Sequence, residues 1–460
     1  MVLVKPNHAV TDTGTQSSLD PWGERLHRRL GLWSAGAVLV GITIGSGIFR
    51  VPAGTAGILG VPGAVMLAWV LGGTIALTGA LTVAELAAAL PRSGGVFAFL
   101  LEAFGPLPAF LFGWSELAVL RAAALGAIAT IFAEYLGYFL HFDPPTVRKV
   151  AAVAIIGIGL LNYVGVRAAA RVMNLVTIAK FAAIVLLGTL AFAAGDGNAD
   201  HFRPVWTGGV SLSLVATALV PIMWTYDGWA DVSFMSGEVR DPGRTLPRAL
   251  IVGTLAIIAI YLLINAAYVY LLPLPVMAES RLVAATAAER IPSLGSNGAA
   301  LVSALVMVSC FGSLNGSMMA GPRIFFAMAD RGLFFQSVAR VSPRFGSPSA
   351  AIWLATGLGV VYVLLNDFQQ LADKFILGIW PFYALSVAGV YVLRRTRPEL
   401  PRPYRTVGYP VTPALFLLAS VGMVVNALLT DPVNTGITFA IIGAGVPVFY
   451  RWRNSVNGKR

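Results

Sequence analysis

Charge is what this sequence has least of. Only 12% of its 460 residues are Asp, Glu, Lys or Arg, against 57% hydrophobic, and the mean hydropathy is +0.78. Such a chain cannot cover a water-facing surface and reads as an all-α polytopic membrane protein. Cysteine is nearly absent. Cys310 stands alone, which excludes an internal disulfide and a cysteine metal cluster. Four scattered histidines form no metal motif, and no nucleophile–base pair is legible, so neither a cofactor nor an enzyme is expected. The apolar core and small-residue cleavage site of a signal peptide are missing as well, and residues 1–30 read as a cytoplasmic tail.

Apolar runs are abundant. Twelve are long enough to cross a bilayer, at about 32–59, 63–90, 106–140, 147–166, 168–194, 211–236, 247–272, 296–330, 347–365, 371–393, 410–429 and 434–450. An even count puts both termini on one side. Basic residues choose that side: twenty-two fall on the side of the termini, and six (Arg148, Lys149, Arg203, Arg281, Arg290 and Lys374) fall opposite. Both termini are therefore expected in the cytoplasm. The net charge of +11 is a topology signal, and a nucleic-acid partner is not expected.

Within the first span, Gly41-Ile42-Thr43-Ile44-Gly45-Ser46-Gly47-Ile48-Phe49 holds three glycines and two hydroxyls where a plain spanning helix needs neither. Glycine lets the backbone leave the helical region cheaply. If the helix opens here, its second half starts near Gly47 and offers unpaired N–H groups to an anion, on which a side chain at Gly47 would intrude. The carbonyls near Thr43 and Ile44 then face an ammonium or a cation, a pairing that suits an α-amino acid. Close helix packing through Gly41-x-x-x-Gly45 is the alternative. The sixth span carries a second interruption, Trp224-Thr225-Tyr226-Asp227-Gly228-Trp229, about 180 residues after the first. Breaks at corresponding places in two halves point to a transporter's binding site. Five spans per half make the halves inverted: residues 31–195 and 210–393, with 394–460 adding two helices and a tail.

An ordered series of motifs then resembles the L-amino acid transporter family of the amino acid–polyamine–organocation superfamily. It includes Ile44-Gly45-Ser46-Gly47-Ile48-Phe49, Ala84-Glu85-Leu86 with Ser93-Gly94-Gly95, and Trp114-Ser115-Glu116-Leu117 with Arg121. Gly228-Trp229, Glu238-x-x-x-Pro242, Phe311 to Ser317 with Arg323, and Pro398-Glu399-Leu400 continue it. The resemblance implies a five-plus-five inverted repeat with two extra helices, and transport of amino acids, commonly by exchange. Carried over by position, it puts the substrate carboxylate on Ser46 and Gly47, between Gly45 and Ile48, and the amino group on the Thr43 and Ile44 carbonyls. In the sixth span it assigns contacts to Trp224, Thr225, Asp227 and the adjoining Gly228, with Trp224 closing over the substrate.

Lys180 lies roughly 14 Å from Arg171 and 24 Å from Asp196 along the fifth span, too deep to reach either headgroup region easily. It matches a family lysine whose ammonium takes the space of a cation in sodium-coupled relatives, near Ser46 and Ser313; a structural role on carbonyls is the alternative. Glu116 and Arg121 read as a buried ion pair. Arg50 reads equally as a guard of the outer mouth or a headgroup contact. Asp227, where many members have a small residue, either pairs with a cationic side chain or caps a helix start. The reading is a sodium-independent exchanger of cationic or neutral amino acids in the cytoplasmic membrane. Proton symport is the mechanistic alternative, and a nutrient sensor or scaffold is the alternative of another class. The loop from His141 to Lys149 lacks the cysteine that joins animal members to a heavy subunit, so no such partner is expected.

Overall fold

A computed structural model describes residues 26–457, positions 207 and 281 excepted. The tail up to residue 25, Arg281, Lys459 and Arg460 lie outside the described residues, as does the side chain of Lys374. In chain order the helices are α1 (Leu32–Thr43), α2 (Val51–Leu59), α3 (Pro62–Ala89), α4 (Val96–Phe104), α5 (Pro106–Ser115) and α6 (Arg121–Leu140). There follow α7 (Pro144–Tyr163), α8 (Val166–Ala194), α9 (Leu212–Tyr226), α10 (Pro242–Leu271), α11 (Leu274–Glu279) and α12 (Val283–Ala288). The chain closes with α13 (Gly298–Ala320), α14 (Pro322–Asp330), α15 (Ser349–Leu365), α16 (Phe368–Thr396), α17 (Val411–Thr430) and α18 (Pro432–Asn457). Among the described residues β-pairing is limited to one bridge, Leu30 with Val239.

Ten helical stretches of the described residues are long and apolar enough to span a bilayer. The other two expected spans form shorter helices. One is α15, of 17 residues; the other is α9, which stops after 15 residues at its break. The short helix α4 is not among the expected spans. It follows Gly94 and Gly95, both in the left-handed region, which turn the chain out of α3.

Helices with an all-round apolar sequence belong in lipid or in a core, and both are present here. Leu175 and Ile178 on α8 are 71% and 70% exposed. By contrast α1, α6, α10 and α13 pack into the middle of the bundle, α1 against α8, α10 and α13. The expected span over 106–140 is one rod, α5–α6, containing a π-turn at Glu116–Leu120. That turn frees a backbone carbonyl at Ala118, which accepts the Tyr362 hydroxyl from α15.

Buried ion pairs hold one end of the bundle. Arg323 of α14 donates from Nε to Glu238 Oε1 at 2.8 Å, both residues being buried. Glu85 of α3 accepts from Arg394 at 2.6 and 2.9 Å and from the Thr406 backbone and hydroxyl at 2.7 and 2.8 Å. The chain entering α1 is stitched to the same end: the Arg29 and Leu30 N–H groups donate to the Glu238 carbonyl at 2.7 and 2.8 Å, and Arg240 N–H donates to Leu30.

Breaking a buried pair costs more than replacing it, because the surviving charge is left uncompensated. Arg323→Ala is expected to destabilise the protein by about 3–5 kcal/mol. The Glu238→Met/Arg323→Met double variant should be less destabilised than Arg323→Ala. Thermal unfolding in detergent checks this; a double variant less stable than the single one would show that the pair contributes beyond mutual neutralisation.

Candidate functional site

The two interrupted helices open at the same depth and fit into each other. α1 ends at Thr43, residues 44–46 run irregularly, Gly47–Phe49 makes a 3₁₀ turn, and α2 begins only at Val51. α9 ends at Tyr226, and the chain resumes as a 3₁₀ segment over Asp231–Glu238. Each break places a glycine against a threonine of the other. A Cβ on Gly47 would lie 2.6 Å from Thr225 Oγ1 and 2.8 Å from its Cα; a Cβ on Gly228 would lie 2.8 Å from Thr43 Oγ1. Gly228 also has φ +104°, which favours glycine in its own right.

Opening α1 leaves carbonyls and N–H groups that must find partners away from water. The carbonyls largely do. Lys180 Nζ donates to Gly41 and Ile44 at 2.6 and 2.5 Å, Ser313 Oγ to Gly41 at 2.8 Å, and Ser309 Oγ to Ile44 at 2.9 Å. The Tyr261 hydroxyl, from α10, spans both breaks, at 2.6 Å from the Thr43 carbonyl and 2.9 Å from that of Thr225. The N–H groups do not: among the described residues those of Ser46, Gly47 and Ile48 have no backbone acceptor. Three successive free donors at the head of a turn form an anion receptor.

A small cavity opens at this point. Its floor is Gly45, Ser46 and Gly47, and its roof is Trp224 with Phe375, whose rings meet edge to face at 5.1 Å. Its charged wall is Arg121, Asp227 and Asp231. Glu116 and Arg121 stand five apart, and in a regular α-helix they would point about 140° apart. The π-turn returns them to one face, so that Arg121 Nε donates to Glu116 Oε2 at 3.0 Å. Arg121 NH1 donates to Ser317 Oγ at 2.8 Å and lies 3.6 Å from Asp231 Oδ2.

Of the residues singled out from the sequence, Thr43, Gly45, Ser46, Gly47, Trp224, Asp227 and Ser313 line this cavity. Ile44, Ile48, Thr225, Gly228 and Lys180 stand behind the lining, and Lys180 is fully buried beside α1. Three expectations change. The Ile44 carbonyl, expected to take an amino group, already accepts from Lys180 and Ser309. The Ile42 carbonyl, by contrast, belongs to a residue that lines the cavity. A side chain at Gly47 meets Thr225 rather than the anion site. Asp227 caps no helix start: it is the C-cap of α9, where a carboxylate faces the negative end of the dipole, and its Oδ1 accepts the Tyr383 hydroxyl at 2.9 Å. Arg50 pairs with Glu134 of α6 at 2.9 Å. Asp231 is not singled out from the sequence and Ser317 enters only as the end of a family motif, although each lies four residues after a singled-out residue, Asp227 and Ser313. Nothing in the sequence marks Tyr261, Phe375 or Tyr383.

A model of the amino acid permease family matches residues 30–449. Among curated proteins the chain is 32% identical to the human b(0,+)-type amino acid transporter 1 over 92% of this chain and 87% of that one. It is 30% identical to the serine/threonine exchanger SteT of Bacillus subtilis, over 92% and 97%, and 32% identical to the human cystine/glutamate transporter, over 93% and 85%.

A methyl at position 47 forces the breaks apart at a cost of about 1–3 kcal/mol. Gly47→Ala should therefore yield folded, monodisperse protein that binds its amino acid about tenfold or more weakly. Ligand-induced thermal stabilisation measures this; undiminished stabilisation would separate the site from the contact of the two breaks.

Proposed function

The chain belongs to the amino acid permease family, in the amino acid–polyamine–organocation superfamily, and within it we propose a sodium-independent exchanger of cationic and neutral L-amino acids. It works by alternating access across the cytoplasmic membrane, with its basic end and both termini in the cytoplasm. Residues 31–195 and 210–393 are taken as the inverted halves, whose first helices carry the two breaks.

One juxtaposition carries this reading: Ser46 and Gly47, whose N–H groups have no backbone acceptor, and the Asp227 carboxylate line one cavity. The N–H groups receive the substrate carboxylate. The Ile42 carbonyl and the negative end of α9 receive its α-ammonium. Asp227 receives a cationic side chain through a charge-assisted hydrogen bond, and Trp224 with Phe375 covers a neutral one. Exchange is the mode that the Bacillus subtilis relative's name states, and a b(0,+)-type amino acid transporter is among the most similar proteins. The ammonium of Lys180, on two carbonyls of the opened helix, fills the place of a metal cation and supports independence from sodium. Absence of cysteine between α6 and α7, with Cys310 buried in α13, supports a chain that works without a disulfide-linked partner.

Purified protein alone, in liposomes loaded with amino acid, is expected to take up labelled arginine at the same rate when choline replaces sodium. A steep sodium dependence would overturn the role given to Lys180, and activity only after addition of a second subunit would overturn self-sufficiency.

The side-chain assignment rests on Asp227. A hydrogen bond between buried charged groups is worth about 1.5–3 kcal/mol, so Asp227→Gly should reduce the preference for arginine over leucine by about ten- to a hundredfold. Competition by arginine, lysine, leucine and alanine reads this out. An unchanged preference would mean that Asp227 does not read the side chain.

A further inference from the structure

Asp231 is the group in the cavity wall that the exchanger reading leaves without a task. It is 4% exposed, lines the cavity and shares its one close cation: Arg121 NH1 pairs with its Oδ2 at 3.6 Å. Arg121 is committed elsewhere, through Nε to Glu116 and through NH1 to Ser317. Glu116 Oε1, fully buried, has no hydrogen-bond partner among the described residues. Around Asp227 and Asp231, the π-turn supplies Glu116, α6 supplies Arg121, α16 the Tyr383 hydroxyl and α13 the residues Ser313 and Ser317, while α1 and its break line the cavity with Thr43 and Ser46. Lys180 does not reach the pair, since its ammonium is held by the Gly41 and Ile44 carbonyls. Three carboxylates thus converge on a single guanidinium.

Two neighbouring carboxylates out of water do not both remain bare. We propose that Asp227 and Asp231 together form a cation site that one positive charge fills in every transport cycle, either the charged side chain of a cationic substrate or a proton. The proposal rests on the exchanger reading of this cavity and adds what happens when the substrate's side chain is neutral. A cationic amino acid brings the charge itself. A neutral one leaves the pair short by one charge as the cavity closes, so a carboxylate oxygen takes a proton from water on the entry side. When the cavity opens to the other side, the same oxygen returns the proton to water there. No bond of the substrate is made or broken. Leucine with a proton and arginine alone then carry the same charge, and their exchange is electrically silent.

The test uses the whole purified protein in liposomes loaded with arginine and a pH-sensitive dye, with leucine outside. Leucine entry should acidify the interior by about one proton per leucine. Its rate should not respond to a membrane potential imposed with potassium and valinomycin, and arginine-for-arginine exchange should move no protons. A constant internal pH with a rate that follows the potential would overturn the proposal while leaving the exchanger reading intact. Failure of both exchanges would overturn that reading and the proposal with it. In Asp231→Asn the single remaining carboxylate no longer needs the proton, so the protons moved per leucine should fall at least fivefold, while Asp231→Glu should keep them. Asp231→Asn with wild-type proton movement would also overturn the proposal.

Discussion

Everything in this bundle answers to one constraint: a helix opened inside a membrane must settle the backbone groups it exposes without help from water. The break after Thr43 is resolved asymmetrically. Its carbonyl side is met by one ammonium and three hydroxyls, drawn from α8, α10 and α13. Its N–H side is left to the cavity. The asymmetry makes a binding site out of what would otherwise be a defect, and it explains why a lysine sits at mid-depth on α8 with no carboxylate beside it. Three helices are tied to α1 by the same contacts that keep α1 open.

Charge in the interior follows a matching division. Where carboxylates are answered, Glu238 by Arg323 and Glu85 by Arg394 and Thr406, they sit at one end of the bundle and lock loops to helices. Around the cavity the ions do not balance, and the surplus is negative. Natural proteins rarely leave buried carboxylates unanswered, and an imbalance in the wall of a cavity is one that a cation entering from outside would answer.

Much of this is legible in the residues. Gly45-Ser46-Gly47 and Asp227-Gly228 announce breaks because no packing rule asks for such residues in the middle of a span, and Lys180 announces itself by depth. The limits are those of one dimension. Whether Gly47 faces the ligand or Thr225 depends on how two breaks dock, and local sequence carries no record of that. The Ile44 carbonyl is spent because Ser309 and Lys180 reach it from other helices. Asp231 follows the break that Asp227-Gly228 announces, and nothing in the sequence says that the 3₁₀ segment beyond it brings Asp231 to the cavity wall. The helices α9 and α15 fall below spanning length for different reasons: α9 is interrupted, and α15 is simply short.

The π-turn at Glu116–Leu120 has a further consequence, for how such a chain tolerates insertion and deletion. A helix ordinarily cannot gain or lose one residue, since everything beyond is rotated by 100° and shifted by 1.5 Å. Here the rod α5–α6 already carries one residue more than an α-helix would use between Glu116 and Arg121, absorbed locally and compensated by the Tyr362 hydroxyl on Ala118. A single-codon deletion in that turn would leave Glu116 and the arginine four apart in a regular α-helix, where they again share a face, so the ion pair survives the loss. Related chains that are one residue shorter there would hold the same charges over the same pocket and keep the rest of the fold, a tolerance to change in length that a regular helix does not have.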